Sequence, residues 1–249
     1  MIPIKDSIPS RTYPIVNVCL IAINIVAFIF ELSLGDRLDE FFRSFAVVPA
    51  KYYWAVMKGH PEWILYEPEL WLPLFTSMFL HGGWLHLIGN MVYLWIFGDN
   101  VEDRMGHFRY VLFYLLCGLV ASAAHILSEP TSSIPSLGAS GAIAGVLGAY
   151  ILLYPRSRVL VMIPIFVFLE FIEVPAFIFL GIWFLQQFVL GTLSLAETAQ
   201  TGGVAWWAHI GGFVAGLATV YLFAKRDYRE PEYDIFWDKF GRIYIRRRW

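Results

Sequence analysis

The chain has 249 residues, 58% of them hydrophobic and only 15% charged, with a formal net charge of −2 at neutral pH. Soluble globular chains are about half apolar and a quarter charged. This balance, with a mean hydropathy of +0.61, excludes an ordinary water-soluble domain and points to several membrane-spanning helices. The small negative charge and the lack of a basic aromatic patch give no reason to expect nucleic acid as a partner. Cys19 and Cys117 both lie in apolar runs, with neither disulfide nor metal-ligand spacing. One compact helical bundle suffices for this length.

Lys5 and Arg11 precede the first apolar run, as in a signal peptide. That run is as long as a full span and no clean small-residue cleavage site follows, so it reads as an uncleaved span 1 from about Pro14 to Leu32. A long segment to Gly83 mixes charges (Asp36, Arg37, Glu40, Arg43) with aromatics such as Tyr52, Trp54, Trp63 and Trp71. That mixture suits the membrane interface. Span 2 is expected from Trp84 to Phe97, broken by Gly98-Asp99-Asn100. Span 3 is expected over Phe108–Leu127, and 128–136 reads as a loop. Span 4 runs from about Leu137 to Tyr154. The apolar stretch Val159 to Leu195 is too long for one span and barely long enough for two. It reads as an apolar segment near the interface followed by span 5, about Pro175 to Leu193. Span 6 is about Gly203 to Ala224, and a charged tail ends Arg246-Arg247-Arg248-Trp249.

Charge asymmetry tests this count. With six spans and the N-terminus inside, 14 of the 18 Lys and Arg are cytoplasmic, and the other four all lie in the long first loop. That obeys the positive-inside rule. A seventh span would place the basic tail outside. Both termini are therefore expected in the cytoplasm.

Ionisable and polar residues inside a membrane are costly, and they either bond helices together or carry function. Four stand out: Ser140 in span 4, His209 in span 6, and His86 and Asn90 in span 2. Spans 2, 4 and 6 all run from outside to inside. Ser140 is a few residues into its span, His86 about three, His209 about six and Asn90 about seven, so all four lie within about 4–10 Å of the outer helix ends. They can share one outer-leaflet pocket. A serine hydroxyl becomes a nucleophile when a neutral imidazole takes its proton. Acyl transfer also needs donors aimed at the oxyanion. His86 and Asn90, at i and i+4, present an imidazole and an amide on one helical face, and the start of span 4 adds backbone N–H groups. Spans 4 and 6 hold no Asp or Glu, which favours a Ser-His dyad over a triad.

Blander readings stand beside these. Serine in a small-residue run is often packing glue, and a lone buried histidine is often a satisfied bundle residue. Gly141 with Gly145 and Gly212 with Gly216 are small-xxx-small pairs, primarily packing devices. His81 with His86 hints at a metal, yet His-Glu-x-x-His is absent and no matching carboxylate lies on the spans, so no metal is expected. Gly-x-Ser-x-Gly is also absent, because Ala142 takes the last position. Glu170 and Glu173 read as a proton or ion path, or more blandly as a loop near the cytoplasmic interface.

Three motifs together resemble the rhomboid intramembrane serine proteases of the bacterial six-span type. They are Gly138-Ala139-Ser140-Gly141, then Ala208-His209-Ile210-Gly211-Gly212 continuing to Gly216, and His81-Gly82-Gly83-Trp84-Leu85-His86-Leu87-Ile88-Gly89-Asn90. The resemblance covers about Tyr13 to Ala224. It implies an all-α membrane protein, a six-transmembrane-helix rhomboid-like bundle with a long, partly membrane-embedded first loop. Residues 1–13 would be a short cytoplasmic N-terminus, 14–224 the protease domain and 225–249 a cytoplasmic tail.

The resemblance further implies Ser140 as nucleophile, His209 as base, and His86 and Asn90 at the oxyanion with the Ser140 N–H. Gly138, Gly141, Gly145, Gly212 and Gly216 would pack the helices around the site. Glu102 and Arg104 match a structural charged pair, and span 5 a mobile element at the substrate entrance. The implied activity is cleavage of transmembrane segments of single-span or multi-span membrane proteins, in a bilayer such as the bacterial inner membrane, without cofactor or metal. Two departures stand out. Ala144 occupies the position where some bacterial members stack a Tyr on the catalytic His, and no clear Trp-Arg pair marks the first loop. The rival reading is an inactive rhomboid-like protein that binds spans without cutting them; such relatives typically lack the Ser or the His. A small transporter would show midplane ionisable residues and inverted halves, and the chain shows neither.

Overall fold

The computed structural model describes residues 1–165, 168–194 and 204–225, and the backbone alone of 233–237 and 243–247. A strand β1 (Ile2–Asp6) precedes the first long helix, α1 (Ile15–Ser33). The first loop folds into four short helices, α2 (Leu38–Phe45), α3 (Pro49–Met57), α4 (Trp63–Tyr66) and α5 (Pro68–Thr76). Pro49 and Pro68 sit in the first turns of α3 and α5, where a missing N–H costs nothing. Then come α6 (Trp84–Met105), α7 (His107–Ser128) and α8 (Ser140–Leu153). Strands β2 (Arg158–Ile165) and β3 (Phe168–Pro175) lead into α9 (Ala176–Ser194), and α10 (Trp206–Phe223) follows. A separate antiparallel pair, β4 (Tyr233–Trp237) with β5 (Ile243–Arg247), lies in the tail.

The six expected spans thus correspond to α1 and α6 through α10. By length and composition α1, α7, α9 and α10 can each cross a membrane, and α8 is a shorter apolar helix. Helix α8 is the axis of the bundle: every residue from Gly141 to Tyr150 is buried. A helix apolar on all sides must be enclosed on all sides. Small residues make that possible. A Cβ at Gly212 would collide with the Gly141 carbonyl oxygen, one at Gly216 with the Gly145 carbonyl, and one at Gly145 with Cys117. The glycine pairs therefore let α10 and α7 lie directly on the α8 backbone.

Three expectations change. The break at Gly98-Asp99-Asn100 does not occur, and α6 continues to Met105. Gly98 is there because the Asn17 amide of α1 occupies the space a side chain would fill. The polar groups beyond it are used. The buried Glu102 carboxylate accepts the backbone N–H groups of Val16 (3.0 Å) and Asn17 (2.7 Å), capping the positive end of α1. Asp103 accepts from the Thr12 hydroxyl at 2.8 Å.

The second change is the interfacial apolar segment, which is an antiparallel strand pair. β2 pairs with β3 over Arg158↔Pro175 to Ile165↔Phe168, and β1 joins the other edge of β2, giving the order β1-β2-β3. Glu170 and Glu173 are exposed on β3, and Glu173 lies 3.8 Å from Arg158. Asn100 ties this sheet to α6, donating to Asp6 (2.8 Å) and to the Ile8 carbonyl (3.0 Å). Tyr150 of α8 also donates to Asp6.

The third change concerns helix starts. Ser140 is the first residue of α8, and His209 the fourth of α10. Gly203, the expected start of span 6, lies outside the described residues, as do Leu195 and Arg248; Arg246 and Arg247 are described in backbone only.

Candidate active site

Ser140 stands where the loop from α7 turns into α8. Gly138 makes that turn at φ +130°, a backbone conformation L side chains rarely adopt. Its missing side chain matters as well, since a Cβ there would lie 2.7 Å from His86 Nε2. The turn is held from outside. Gly138 N–H donates to the Ser77 carbonyl (2.8 Å), and Ser136 exchanges both backbone bonds with Val47 of the first loop (2.7 and 3.0 Å). As the first helical residue, Ser140 has a backbone N–H with no partner inside α8.

Helix α10 brings His209 to Ser140. Ser140 Oγ and His209 Nε2 are 2.7 Å apart. The contact follows from the glycine packing: with the α10 backbone resting on α8, the two side chains meet near the N-terminal ends of both helices. On its other side His209 Nδ1 lies 2.7 Å from Gln187 Oε1 of α9. A side-chain carbonyl oxygen only accepts, so Nδ1 carries the proton. Nε2 then presents its lone pair and accepts the Ser140 hydroxyl. Trp183 and Trp206 flank the imidazole, with ring centroids 6.0 and 6.2 Å away. Ala144, at the position where the resemblance would put a Tyr, is buried within α8.

His86 and Asn90 part company. Gly82 N–H donates to His86 Nδ1 at 3.4 Å, which leaves the proton on Nε2, the nitrogen lying against Gly138. Asn90 instead directs its amide nitrogen to His81 Nε2 at 2.9 Å. Burial, and then the neighbouring His86, push His81 down to about 4, so its ring is neutral and accepts that bond. Its own backbone N–H donates to the buried Glu31 carboxylate of α1 (3.2 Å). Asn90 therefore braces the loop ahead of α6, while His86 faces the Ser140 turn. A cavity of about 30 Å³ opens beside Ser140 between Ser77, Ser122, Ser136 and Ala208. It is large enough for one water molecule.

Two participants were missed in the sequence. Gln187 belongs to an apolar 19-residue helix, and its signal is its cost, because an amide at that depth needs a reason. Glu31, near the C-terminal end of α1, carries the same signal.

A serine hydroxyl on a neutral imidazole, with N–H donors beside it, is the arrangement acyl transfer needs. Comparison with known proteins identifies the family. The family model described as the Rhomboid domain matches residues 68–226, well over half of the chain.

The chain belongs to the rhomboid family.

It is 41% identical over 88 residues to Rhomboid protease GluP of Bacillus subtilis (strain 168), a stretch covering 35% of this chain and 17% of that protein. RHOMBOID-like protein 5 of Arabidopsis thaliana is 40% identical over 83 residues, 33% of this chain and 26% of the relative. Presenilin-associated rhomboid-like protein A, mitochondrial, of Danio rerio is 29% identical over 159 residues, 63% of this chain and 40% of the relative. The matched stretches thus span well under half of each relative's length. With its several long apolar helices, this rhomboid is an integral membrane protein.

Proposed function

We propose that this rhomboid is an intramembrane serine endopeptidase that cuts transmembrane segments of single-span or multi-span membrane proteins. The observation that carries the reading is the 2.7 Å contact between Ser140 Oγ and His209 Nε2, with the imidazole proton held on the far nitrogen by Gln187. Ser140 Oγ attacks the scissile carbonyl as its proton passes to His209 Nε2. The oxyanion forms against the Ser140 backbone N–H and His86 Nε2–H. Collapse transfers the proton from His209 to the leaving amine and leaves an acyl-serine. Water then attacks the ester, again with His209 as base, and frees the enzyme. Each oxyanion donor contributes about 10²–10³ in rate. The substrate segment must first unwind locally, because an intact helix hides its carbonyls in i to i−4 bonds. The depth of the site and the basic charge pattern favour cleavage in the outer half of the bilayer, with both termini cytoplasmic. Asn90 acts through His81 as a support for the oxyanion side.

The test is cleavage of a transmembrane reporter by the full chain in liposomes, alongside Ser140→Ala and His209→Ala. Loss of activity in both variants is the expected result. Equal cleavage by all three proteins rejects the site. If nothing is cut, a serine-directed fluorophosphonate is applied: labelling that needs Ser140 keeps the enzyme reading, and its absence favours a rhomboid that binds spans without cutting.

A further inference from the structure

Helix α9 supplies one buried polar side chain to the pocket of α8 and α10. Gln187 is 5% exposed and His209 8% exposed, and their contact is as short as the Ser140–His209 contact. The other seat of α9 on its neighbours is aromatic: Phe184 stacks on Phe213 with centroids 4.6 Å apart, and Phe179 lies 6.3 Å from Tyr93. A second polar bond between α9 and α10, from Trp207 Nε1 to the Gly191 carbonyl, ends on backbone and would form with many residues at 191. Gln187 is different, because its chemistry is legible at the reacting atom. An acceptor at Nδ1 decides which imidazole nitrogen holds the proton, and only one choice leaves a base facing Ser140.

We propose that Gln187 is a positioning residue that fixes the tautomer and ring orientation of His209, so that the base is correctly set only while α9 is seated against α10. The inference rests on the protease reading above, and it adds a third member from a helix that carries neither the nucleophile nor the base. Displacing α9 withdraws Oε1 from Nδ1. The imidazole is then free to turn or to place its proton on Nε2, where it cannot accept from serine. Substrate access past α9 and readiness of the base thereby become linked events.

The alternative is that Gln187 only bonds two helices together. Three readouts separate these roles, using the full chain in micelles and liposomes. Nitrogen-15 spectra of histidine-labelled wild type should show His209 protonated at Nδ1, and Gln187→Leu should show mixed tautomers. In reporter cleavage, Gln187→Leu should lower kcat by about tenfold to a hundredfold with KM changed less than about threefold, the size seen when a hydrogen-bonded support of a functional histidine is removed. Gln187→Glu, which keeps an acceptor oxygen, should restore most of kcat. Fluorophosphonate labelling of Ser140 should slow in parallel in Gln187→Leu, because a small probe does not need α9 to move.

Wild-type kcat in Gln187→Leu, or slower cleavage with unchanged labelling, overturns the proposal; the second result would make Gln187 an access residue. If Gln187→Leu does not fold, the wild-type spectrum decides, and a proton on His209 Nε2 overturns the inference. If wild type shows no Ser140-dependent activity at all, the protease reading fails separately, while the tautomer spectrum still judges the Gln187 contact.

Discussion

Helices α8 and α9 both line the candidate site, and they are held in opposite ways. α8 meets α10 backbone to backbone, with Gly212 under the Gly141 carbonyl and Gly216 under the Gly145 carbonyl. α9 meets its neighbours through rings, Phe184 and Trp183 on Phe213, and leaves Phe177, Ile182 and Leu185 exposed to where lipid would be. Lipid tails can replace a ring contact at little cost, since the membrane supplies no hydrophobic drive between helices. They cannot replace a fit that exists only because two side chains are missing. The α8–α10 contact is therefore fixed, and the α9 contact is exchangeable. Ser140 and His209 sit on the fixed pair, and Gln187 reaches in from the exchangeable one.

The sharpest way to break this contrast is Gly216→Leu. The side chain would enter the Gly145 backbone, and we expect roughly 4 kcal/mol of destabilisation, at or above the usual overpacking range. Thermal unfolding in detergent should show the loss, together with abolished labelling of Ser140. Gly138→Ala tests the same region more locally. A Cβ at φ +130°, 2.7 Å from His86 Nε2, must displace either the Ser140 turn or the imidazole. Cleavage should fall about a hundredfold, the value of one oxyanion donor, while the melting temperature moves only a few degrees.

The sheet that feeds α9 gives a third test, through pH. Burial, eased by the Tyr150 bond and reinforced by Asp99, raises Asp6 from 3.8 to about 7. The folded protein then holds a proton that the unfolded chain gives up near pH 4. Stability from this group is complete below about pH 4 and is lost as pH rises through about 7. Denaturation at pH 5 and pH 8 should differ by about 2 kcal/mol, and Asp6→Asn should flatten the difference.

The smallest effect is expected on the exchangeable side. Phe184→Ala removes one ring pair, about 1 kcal/mol of stability. It should slow Ser140 labelling and cleavage of a transmembrane reporter together, about twofold to fivefold, because a looser α9 withdraws Gln187 from His209 part of the time. Unchanged labelling would mean that this ring pair does not hold Gln187 in place.

Much of this was legible in the sequence, for identifiable reasons. Ser140 and His209 declare themselves as polar groups in small-residue spans, and the glycine pairs that pack those spans also bring them together. The helix count followed from hydropathy and basic charge. The strands did not. Val159 to Val174 is apolar with little alternation, and of the two strands that pair with β2 one, β1, lies near residue 4, a nonlocal partner no local pattern announces. Gly98 was misread because a glycine that ends a helix and one that admits a neighbour's side chain look alike in one dimension. Gln187 escaped because the sequence was searched for acids on the spans that carry Ser140 and His209. The group at Nδ1 is an amide, and it comes from a third helix.

The pairing of β1 with β2 also sets a timetable. Ile2 lies opposite Met162, and a ribosome adding about 5–20 residues per second needs roughly ten to thirty seconds to make the chain between them. For that interval the first strand is a bare edge without its β2 partner, while four long helices are threaded into the bilayer. The sheet closes only when the fourth is in place, just before α9 emerges. Helices α9 and α10 are thus added to a bundle whose first and middle segments are already clasped together.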